Sequence, residues 1–380
     1  MKPTVLIAVT SPWFEGSRLA MVLASAGFTV AAVCPPGHPL GKARALRETH
    51  TYYPLTPLLS LAHAISATRP DIVVPTDDLA VQRLHQLYYW KRNGRRAKQW
   101  ICALIERSVG APESFPLVCA RIRFVDLAKE LGIRVPQTKV IANTSNLEKW
   151  LVRMGYPTVL KVNRTAGGPG VRIVRTLNEA ELAFQKLQAP PPLVQALGSR
   201  DRTLIWPSLL RRRSVVNAQA FVAGRKATSA IACWQGTVLA VLHFEVVSKP
   251  HSTGPASELH LIQNAEMSSA AKKMVSRLNL SGLYGFDFML ETHSGNAYLI
   301  EINSRTTEVA HLTLGPGRDL PTALYAAVSG EAVQAALKFT ESDRIALFPQ
   351  DRRKDPREFH AEGHPDFQRN GSWIDLKKCE

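Results

Sequence analysis

Two carboxylates and one amide in the C-terminal third of the sequence have the spacing of a metal site. Asp287 and Glu301 lie in two apolar segments that flank a polar turn containing Ser294 and Gly295, and Asn303 follows Glu301 by two residues. This pattern predicts an antiparallel hairpin. With the hairpin centred on Ser294, Asp287 lies opposite Glu301, and Asn303 lies on the same face, roughly 7 Å further along its strand.

The same register gives the predicted hairpin one continuous apolar face. That face contains three cross-strand pairs: Phe286 with Ile302, Phe288 with Ile300 and Leu290 with Tyr298. On the other face, opposed carboxylates destabilise a sheet unless a cation neutralises them. Carboxylate and amide oxygens suit a hard divalent cation that also binds phosphates. We therefore expect Asp287, Glu301 and Asn303 to bind Mg²⁺ or Mn²⁺; the alternative is a pair of surface carboxylates on a solvated face.

A glycine-rich segment upstream has the composition of a phosphate-binding loop. Lys161 ends an apolar strand, and Gly167, Gly168 and Gly170 precede a second strand at residues 171–174. Glycines in such a turn let backbone N–H groups approach a triphosphate, and Lys161 would supply a positive charge to its oxygens. The segment lacks the G-K-[ST] of a Walker loop and the helix that follows a dinucleotide fingerprint. An ordinary hairpin turn is the alternative.

The elements that precede these motifs alternate between strand and helix. Three short apolar segments predict buried parallel strands, at residues 4–9, 29–33 and 71–75. A helix over residues 17–26 joins the first two strands. The third strand ends before Asp77 and Asp78, which start another helix. Aspartate at a helix start is typical of a cap, although this pair could also be catalytic.

The charge of the chain favours anionic ligands. It contains 47 Lys and Arg against 31 Asp and Glu, a formal net charge of +16, with basic clusters around residues 92–98 and 211–213. Such a field attracts nucleic acid, but also ATP and carboxylates. The clusters lack interleaved aromatic residues, and no groove-reading helix is evident. We therefore expect small anionic molecules as partners and no specific nucleic acid.

Other features of the sequence exclude several protein classes. No apolar run reaches the roughly 18 residues of a transmembrane helix, and the N-terminus lacks the pattern of a signal peptide. The five cysteines are scattered and form no C-x-x-C pair, which argues against a disulfide framework and a structural zinc site. We expect a cytoplasmic protein with no membrane partner.

In chain order, these motifs resemble the ATP-grasp superfamily, particularly its carbamoyl-phosphate-synthase-like and biotin-carboxylase-like branch. The most specific element is the E-x-N-x-R run at residues 301–305, together with Asp287 on the preceding strand. The resemblance implies that the metal set serves ATP and that Arg305 is a catalytic residue facing the acceptor or an acyl phosphate. It also implies a set of ATP-binding residues: Arg121, Lys161, Gly167, Gly168, Gly170, and a hinge of Gln219, Ala220, Phe221 and Val222.

The resemblance also implies a fold that combines α/β and α+β parts. A Rossmann-like domain would occupy residues 1–110, and an ATP-grasp domain would occupy residues 111–340. Within the latter, a glycine-rich-loop subdomain (about 135–220) and a metal-binding subdomain (about 221–340) would clasp ATP between them. A charged, partly ordered tail would follow at residues 341–380.

One segment departs from the family pattern. Where many relatives place an acidic residue after the hinge to hold the ribose, this chain has Arg225 and Lys226. Glu245, on the next predicted strand, is a candidate replacement. His243 shares the polar face of that strand with Glu245, so the pair either faces substrate or is solvated.

The implied function is an ATP-dependent ligase that joins a carboxylate, such as an amino acid, to an amine through an acyl phosphate, with ATP and Mg²⁺. One alternative is a carboxylase or carbamoyl-phosphate-type enzyme. Others are a basic nucleic-acid-binding protein and a nucleotide-binding regulator without turnover. Dimers are common in the superfamily, so a homodimer is one option for the assembly.

Overall fold

The computed structural model describes residues 2–11, 15–94, 99–119, 121–162, 170–190, 213–248, 256–332 and 343–347, which form three β-sheets and the helices packed on them. No helix in these ranges combines the length and the apolar composition that crossing a membrane requires. The three sheets and their helices give a mixed α/β architecture, as the sequence predicted.

The first sheet is parallel and has four strands in the order β3-β2-β1-β4. The strands are β1 (Thr4–Ala8), β2 (Thr29–Cys34), β3 (Leu46–Thr51) and β4 (Ile72–Pro75). Helix α1 (Glu15–Ala26) packs on one face, and α2 (Pro57–Thr68), α3 (Asp78–Arg92) and α4 (Gln99–Val109) pack on the other. Burial of both faces explains why β1 and β2 are continuously apolar. The three predicted parallel strands are confirmed.

Two short helices, α5 (Phe115–Cys119) and α6 (Arg121–Glu130), lead to a second sheet, which is antiparallel. Its strands are β5 (Thr138–Ile141), β6 (Thr158–Val162), β7 (Val171–Val174) and β8 (Val216–Ala220), in the order β5-β8-β6-β7. Helices α7 (Thr144–Met154) and α8 (Leu177–Gln188) cover one face of this sheet through an apolar cluster that includes Leu160 and Ala218. No described helix of this cluster covers the opposite face.

The third sheet contains six antiparallel strands in the order β13-β12-β9-β10-β11-β14. They are β9 (Gly224–Trp234), β10 (Thr237–Ser248), β11 (Glu258–Ile262), β12 (Gly282–Glu291), β13 (Ala297–Asn303) and β14 (Arg344–Ala346). Helix α9 (Ala265–Leu278) and α6 cover one face, and α10 (Leu320–Ser329) packs on the other. The edge strand β14 lies just after residue 341, so the first residues of the predicted tail belong to this sheet.

The first and third sheets share one hydrophobic core. Val5 and Ile7 of β1 belong to the same buried cluster as Ala230 of β9 and Leu242 and Phe244 of β10. A boundary near residue 110 therefore separates secondary-structure elements but not independent cores. This packing brings the carboxyl ends of the parallel strands next to the third sheet.

Candidate active site

The predicted carboxylate pair forms across β12 and β13. Asp287 lies opposite Glu301, Phe286 lies opposite Ile302, and Asn303 lies opposite Gly285. Asp287, Glu301 and Asn303 consequently share one face, as their spacing predicted. Farther along the sheet, the same face packs against the first sheet. Thr228 and Ala230 lie on this face of β9, and Ala230 belongs to the core that the two sheets share. The neighbouring residues of β9 that point to the other face belong to a separate core.

The predicted register is wrong on the turn side of this pair. A β-bulge between Asp287 and Phe288 places Phe288 opposite Leu299 instead of Ile300, and Leu290 opposite Ala297 instead of Tyr298. The bulge inserts one extra residue into β13 and reverses which residues point inward. Leu299 and Ala297 are therefore buried, whereas the ring of Tyr298 lies 5.7 Å from the guanidinium carbon of Arg134.

The side chain of Asp287 is held by its neighbours on both sides. Its Oδ1 atom accepts a hydrogen bond from the Thr228 hydroxyl at 2.9 Å, and its Oδ2 atom accepts one from Nδ2 of Asn303 at 3.2 Å. This orientation leaves the amide oxygen of Asn303 available as a ligand. Sequence reasoning missed Thr228, although its place on the strand next to β12 follows once the sheet order is known.

The donor set fits a hard divalent cation. Two carboxylates and one amide oxygen on a partly exposed face supply the oxygen ligands that Mg²⁺ prefers, and they leave positions for phosphate oxygens and water. In the described ranges there is no group of three or more His, Cys, Asp or Glu side chains that could bind a metal. The candidate set thus depends on the amide of Asn303 as its third ligand.

Arg305 connects this face to the first sheet. Its Nε atom lies 3.3 Å from Oδ1 of Asp78, and the Thr306 N–H donates to the Pro75 carbonyl at the end of β4 at 3.2 Å. The pKa of the half-exposed Asp78 is raised above its usual value, chiefly by desolvation. The charge of Arg305 opposes this shift, and the charge of Glu301 adds to it. Asp77, in contrast, caps α3 through a 2.8 Å hydrogen bond from the Ala80 N–H, which confirms the predicted capping role for Asp77.

A second group of polar residues lies on the face of the second sheet that its helices leave open. Lys161 of β6 lies opposite Asn217 of β8, and Gln219 lies opposite Val159. Lys161, Asn217 and Gln219 are all buried, and Gln219 donates to the Thr138 hydroxyl at 3.2 Å. Sequence reasoning missed Asn217, although its two-residue spacing from Gln219 places both on one face of the strand.

The remaining predicted ATP-binding residues are placed only in part. Ala220 ends β8, and Phe221 and Val222 join the second sheet to the third. Gly170 precedes β7, and its carbonyl accepts a hydrogen bond from the Val162 N–H at 3.0 Å. Gly167, Gly168 and the side chain of Arg121 lie outside the described residues.

The proposed roles of His243 and Glu245 are wrong. Glu245 lies opposite Ala227, one position from Thr228, so it faces away from Asp287 and forms a 2.9 Å ion pair with Arg225. His243 is buried and bonds Ser229 and Ser268 at 2.7 and 2.8 Å. Burial, assisted by the charge of Arg318, lowers the pKa of His243 to about 4. Alternation along β10 predicts that His243 and Glu245 share a face, but it does not show that α9 covers that face.

Comparison with protein families decides the affiliation of the chain. Residues 120–314, about half of its length, match the family described as carbamoyl-phosphate synthase L chain, ATP binding domain. The chain belongs to this family. The match contains the hairpin, the second sheet and Arg305, so membership confirms the resemblance to the ATP-grasp superfamily.

The individual relatives of the chain are distant. The carbamoyl phosphate synthase arginine-specific large chain of Geobacillus stearothermophilus is 24% identical over 238 residues, 62% of this chain and 20% of that protein. The formate-dependent phosphoribosylglycinamide formyltransferase of Bacteroides thetaiotaomicron is 24% identical over 264 residues, 69% of this chain and 61% of that protein. The chain thus spans one fifth to about three fifths of the length of these relatives.

Solved structures share the ATP-grasp fold over most of the chain. N5-carboxyaminoimidazole synthetase from Staphylococcus aureus, complexed with ADP, superposes with a TM-score of 0.62 at 14% identity, covering 88% of this chain and 79% of that one. Biotin carboxylase from Campylobacter jejuni gives a TM-score of 0.62 at 14% identity, covering 88% and 72%. At this identity the likeness concerns the fold alone.

Proposed function

We propose that the chain is an ATP-dependent ligase that activates a carboxylate as an acyl phosphate and transfers the acyl group to an amine. The observation that carries this proposal is the carboxylate pair Asp287 and Glu301, opposed on β12 and β13 with Asn303 beside them. Arg305 lies two residues beyond Asn303 and reaches Asp78. Family membership supports ATP as the nucleotide, and the activities for which the relatives are named support ligation.

Each polar group has a role in the first step, in which a substrate carboxylate attacks the γ-phosphorus of ATP and ADP leaves. Lys161, on the second sheet, would neutralise the charge of the ATP phosphates. Asp287, Glu301 and Asn303 would hold Mg²⁺. Bound there, Mg²⁺ supplies charge neutralisation to the phosphates. Because the reaction needs positioning and charge stabilisation, no activated serine or cysteine is required.

In the second step, the amine nitrogen attacks the acyl carbon and forms the amide bond. The bond between that carbon and the phosphate oxygen breaks, inorganic phosphate leaves with the electron pair, and the nitrogen loses a proton. The guanidinium of Arg305 would stabilise the negative charge that develops at the acyl group. We propose that the loop containing Gly167, Gly168 and Gly170 covers the phosphates and that Arg121 contacts them.

The domain organisation is part of the same proposal. Residues 1–110 would be a Rossmann-like domain, supported by the parallel order β3-β2-β1-β4. Residues 135–220 and 221–340 would be the two parts that clasp ATP, supported by the separate second and third sheets, with Gln219 to Val222 as the hinge. We also propose that the chain forms a homodimer and is located in the cytoplasm. The scattered cysteines support the cytoplasmic location.

A second candidate is ATP-dependent activation of bicarbonate, which the similarity to a carbamoyl phosphate synthase and to biotin carboxylase favours. A phosphate-release assay distinguishes the two. The ligase predicts release that requires Mg²⁺, an organic carboxylate and an amine, and that persists when bicarbonate is removed. Release that depends on bicarbonate alone would support the second candidate. Stimulation by RNA but by no carboxylate would contradict both.

A further inference from the structure

A polar cavity lies between the helices of the first sheet and one end of the third sheet. Its volume is about 630 Å³, which lies within the range of roughly 300–1,000 Å³ for small-molecule sites. Its lining comes from α3, α4 and the turn after α4 on one side. On the other side it comes from the turn between β9 and β10 and from the segment between α9 and β12. We call this space the distal cavity.

The distal cavity is separate from the candidate active site. Helix α3 begins at Asp78, which contacts Arg305, and reaches the cavity with its last residue, Arg92. A helix of this length spans roughly 20 Å. Ser281 lines the cavity and immediately precedes β12, and Asp287 lies roughly 20 Å further along that strand. A ligand in the cavity therefore does not share the metal set or Arg305.

The two sides of the distal cavity are fixed to each other by contacts next to it. The Tyr284 hydroxyl of β12 donates to the Val109 carbonyl at the end of α4 at 2.8 Å. Gly282, at φ +103°, comes so close to α4 that a Cβ atom would lie 2.5 Å from the Ser108 carbonyl oxygen. The cavity thus lies between two parts of the chain that are already held together, which is usual for small-molecule sites.

A chain of hydrogen bonds holds one pair of opposite charges in the lining of the distal cavity. Nη1 of Arg92 donates to the Tyr88 hydroxyl at 3.4 Å, and that hydroxyl donates to Oε1 of Glu106 at 2.8 Å. The ring of Tyr88 is buried, whereas Arg92 and Glu106 are exposed. The guanidinium and the carboxylate are consequently oriented by one fixed phenol group, and both remain accessible to a ligand.

A second pair of opposite charges lines the same cavity. It consists of Arg107 in the last turn of α4 and Glu113 in the turn that follows this helix, and both are exposed. Arg107 donates through Nε to the Asp71 carbonyl at 2.9 Å, so its terminal nitrogen atoms can bind a ligand. Among the described residues, the Glu113 carboxylate has no hydrogen-bond or ion-pair partner.

The side that belongs to the third sheet contributes neutral polar groups, those of Gln235, Asn279 and Ser281. Ser281 is 2% exposed, and its Oγ atom accepts the Gln235 N–H at 2.8 Å. A hydroxyl that accepts one bond can still donate its own proton, and no described residue accepts that proton. The apolar residues of the lining are two alanines and one proline. The cavity therefore favours a polar ligand.

We propose that the distal cavity binds a small zwitterion, an amino acid or short peptide that carries one ammonium and one carboxylate group. A ligand with charge of a single sign is repelled by half of the charged side chains, whereas a zwitterion is complementary to both halves. Arg92 and Arg107 bind its carboxylate. Glu106 and Glu113 bind its ammonium group, and the Ser281 hydroxyl donates to its polar backbone. The inference goes beyond the proposed function, because this site uses neither ATP nor the metal set.

Three dipeptide probes separate the two charges of the ligand. Glycylglycine carries both, N-acetylglycylglycine carries only the carboxylate, and glycylglycinamide carries only the ammonium group. Binding to the full chain without nucleotide is measured by ligand-observed NMR. We expect glycylglycine to bind at least about threefold tighter than either of the others, because each of them lacks one set of charge contacts. Equal or tighter binding of either single-charge probe overturns the proposal, as does absence of glycylglycine binding.

Variants of the chain locate the binding. Arg92→Gln should weaken glycylglycine binding about 2- to 5-fold, as expected for an exposed charge contact, and leave glycylglycinamide binding unchanged. Glu113→Gln should weaken glycylglycine binding by a similar factor but not that of N-acetylglycylglycine. Arg153→Gln and Glu148→Gln are the matched controls, since both side chains are exposed on α7 and lie outside the cavity. Unchanged glycylglycine affinity in both cavity variants contradicts the proposal.

A further variant tests whether the probe binds at the candidate active site instead. Arg305→Ala should leave the affinity for glycylglycine unchanged, because Arg305 lies at the other end of α3, roughly 20 Å away. A loss of affinity as large as that of Arg92→Gln would assign the probe to the candidate active site and overturn the proposal. All of these measurements omit nucleotide, so their outcome is independent of ATP binding and turnover.

Discussion

The Thr228 hydroxyl donates a 2.9 Å hydrogen bond to Oδ1 of Asp287. Thr228 lies on β9 and Asp287 on the neighbouring β12, while Glu301 and Asn303 lie on β13. The candidate metal site is thus supported by three adjacent strands. A site built on rigid strands holds its ligands in place better than one built on loops.

The first prediction concerns the carboxylate pair. Asp287→Asn and Glu301→Gln should each abolish Mg²⁺-dependent ATP turnover and leave the fold intact, because they remove charged ligands from a partly exposed face. Turnover is measured by phosphate release and folding by circular dichroism. Glu245→Gln is the matched control, since Glu245 lies on the opposite face of the same sheet and pairs with Arg225. If both site variants turn over like the unaltered chain, the metal assignment is wrong.

The second prediction concerns Thr228. Thr228→Val removes the hydroxyl that orients Asp287, and loss of such an outer hydrogen bond typically weakens metal affinity by about 10- to 100-fold. The Mg²⁺ concentration for half-maximal turnover should rise accordingly. Thr228→Ser retains the hydroxyl and should restore most of the affinity. Identical Mg²⁺ dependence of the valine and serine variants would show that the hydrogen bond does not support the site.

The third prediction concerns the second sheet. Lys161→Ala should weaken ATP binding by about 1.5–3 kcal/mol, the value expected for one hydrogen bond to a charged group. Calorimetry measures this affinity. Lys139→Ala is the control, because Lys139 is exposed on β5 and lies opposite Ala218, whose side chain faces the helices. Equal nucleotide affinity of the two variants would remove Lys161 from the site.

The fourth prediction concerns Arg305 and Asp78. Arg305→Ala should lower kcat by at least about 100-fold, as for other removed electrostatic stabilisers. The Asp78→Asn variant should lose less activity, because the Asp78 side chain is half exposed. Since the two side chains are 3.3 Å apart, the double variant should deviate from additivity by about 0.5–3 kcal/mol in kcat/KM. Additive effects would mean that the ion pair does not couple the two sheets.

The fifth prediction concerns pH. The pKa of His243 is lowered from 6.5 to about 4 in the folded chain, so between these pH values the unfolded chain binds a proton that the folded chain does not. The unfolding free energy should therefore fall as pH falls through this window, by on the order of 3 kcal/mol for this residue. Denaturant unfolding at several pH values measures the slope, and His243→Gln should make it shallower. Equal slopes would contradict the burial of a neutral His243.

The sequence predicted the parallel strands from their continuous apolar composition, and it predicted the central pair of the hairpin from alternation and turn composition. It did not predict the bulge that places Leu299 instead of Ile300 opposite Phe288. A bulge is selected by packing on both faces, and here α6 and α9 bury Leu299. The same packing determines that His243 is inside the protein, which no periodicity along β10 reveals.

The sequence by itself determined the family and the candidate metal ligands, because the E-x-N-x-R run and Asp287 are close enough in the chain for strand geometry to relate them. Only the tertiary structure decided that Thr228 supports Asp287 and that Asp78 meets Arg305. These residues are separated by tens to hundreds of positions in the sequence. The physical reason is that both contacts form only on folding: strand pairing in the third sheet brings Thr228 to Asp287. The apolar core that the first and third sheets share brings Asp78 to Arg305.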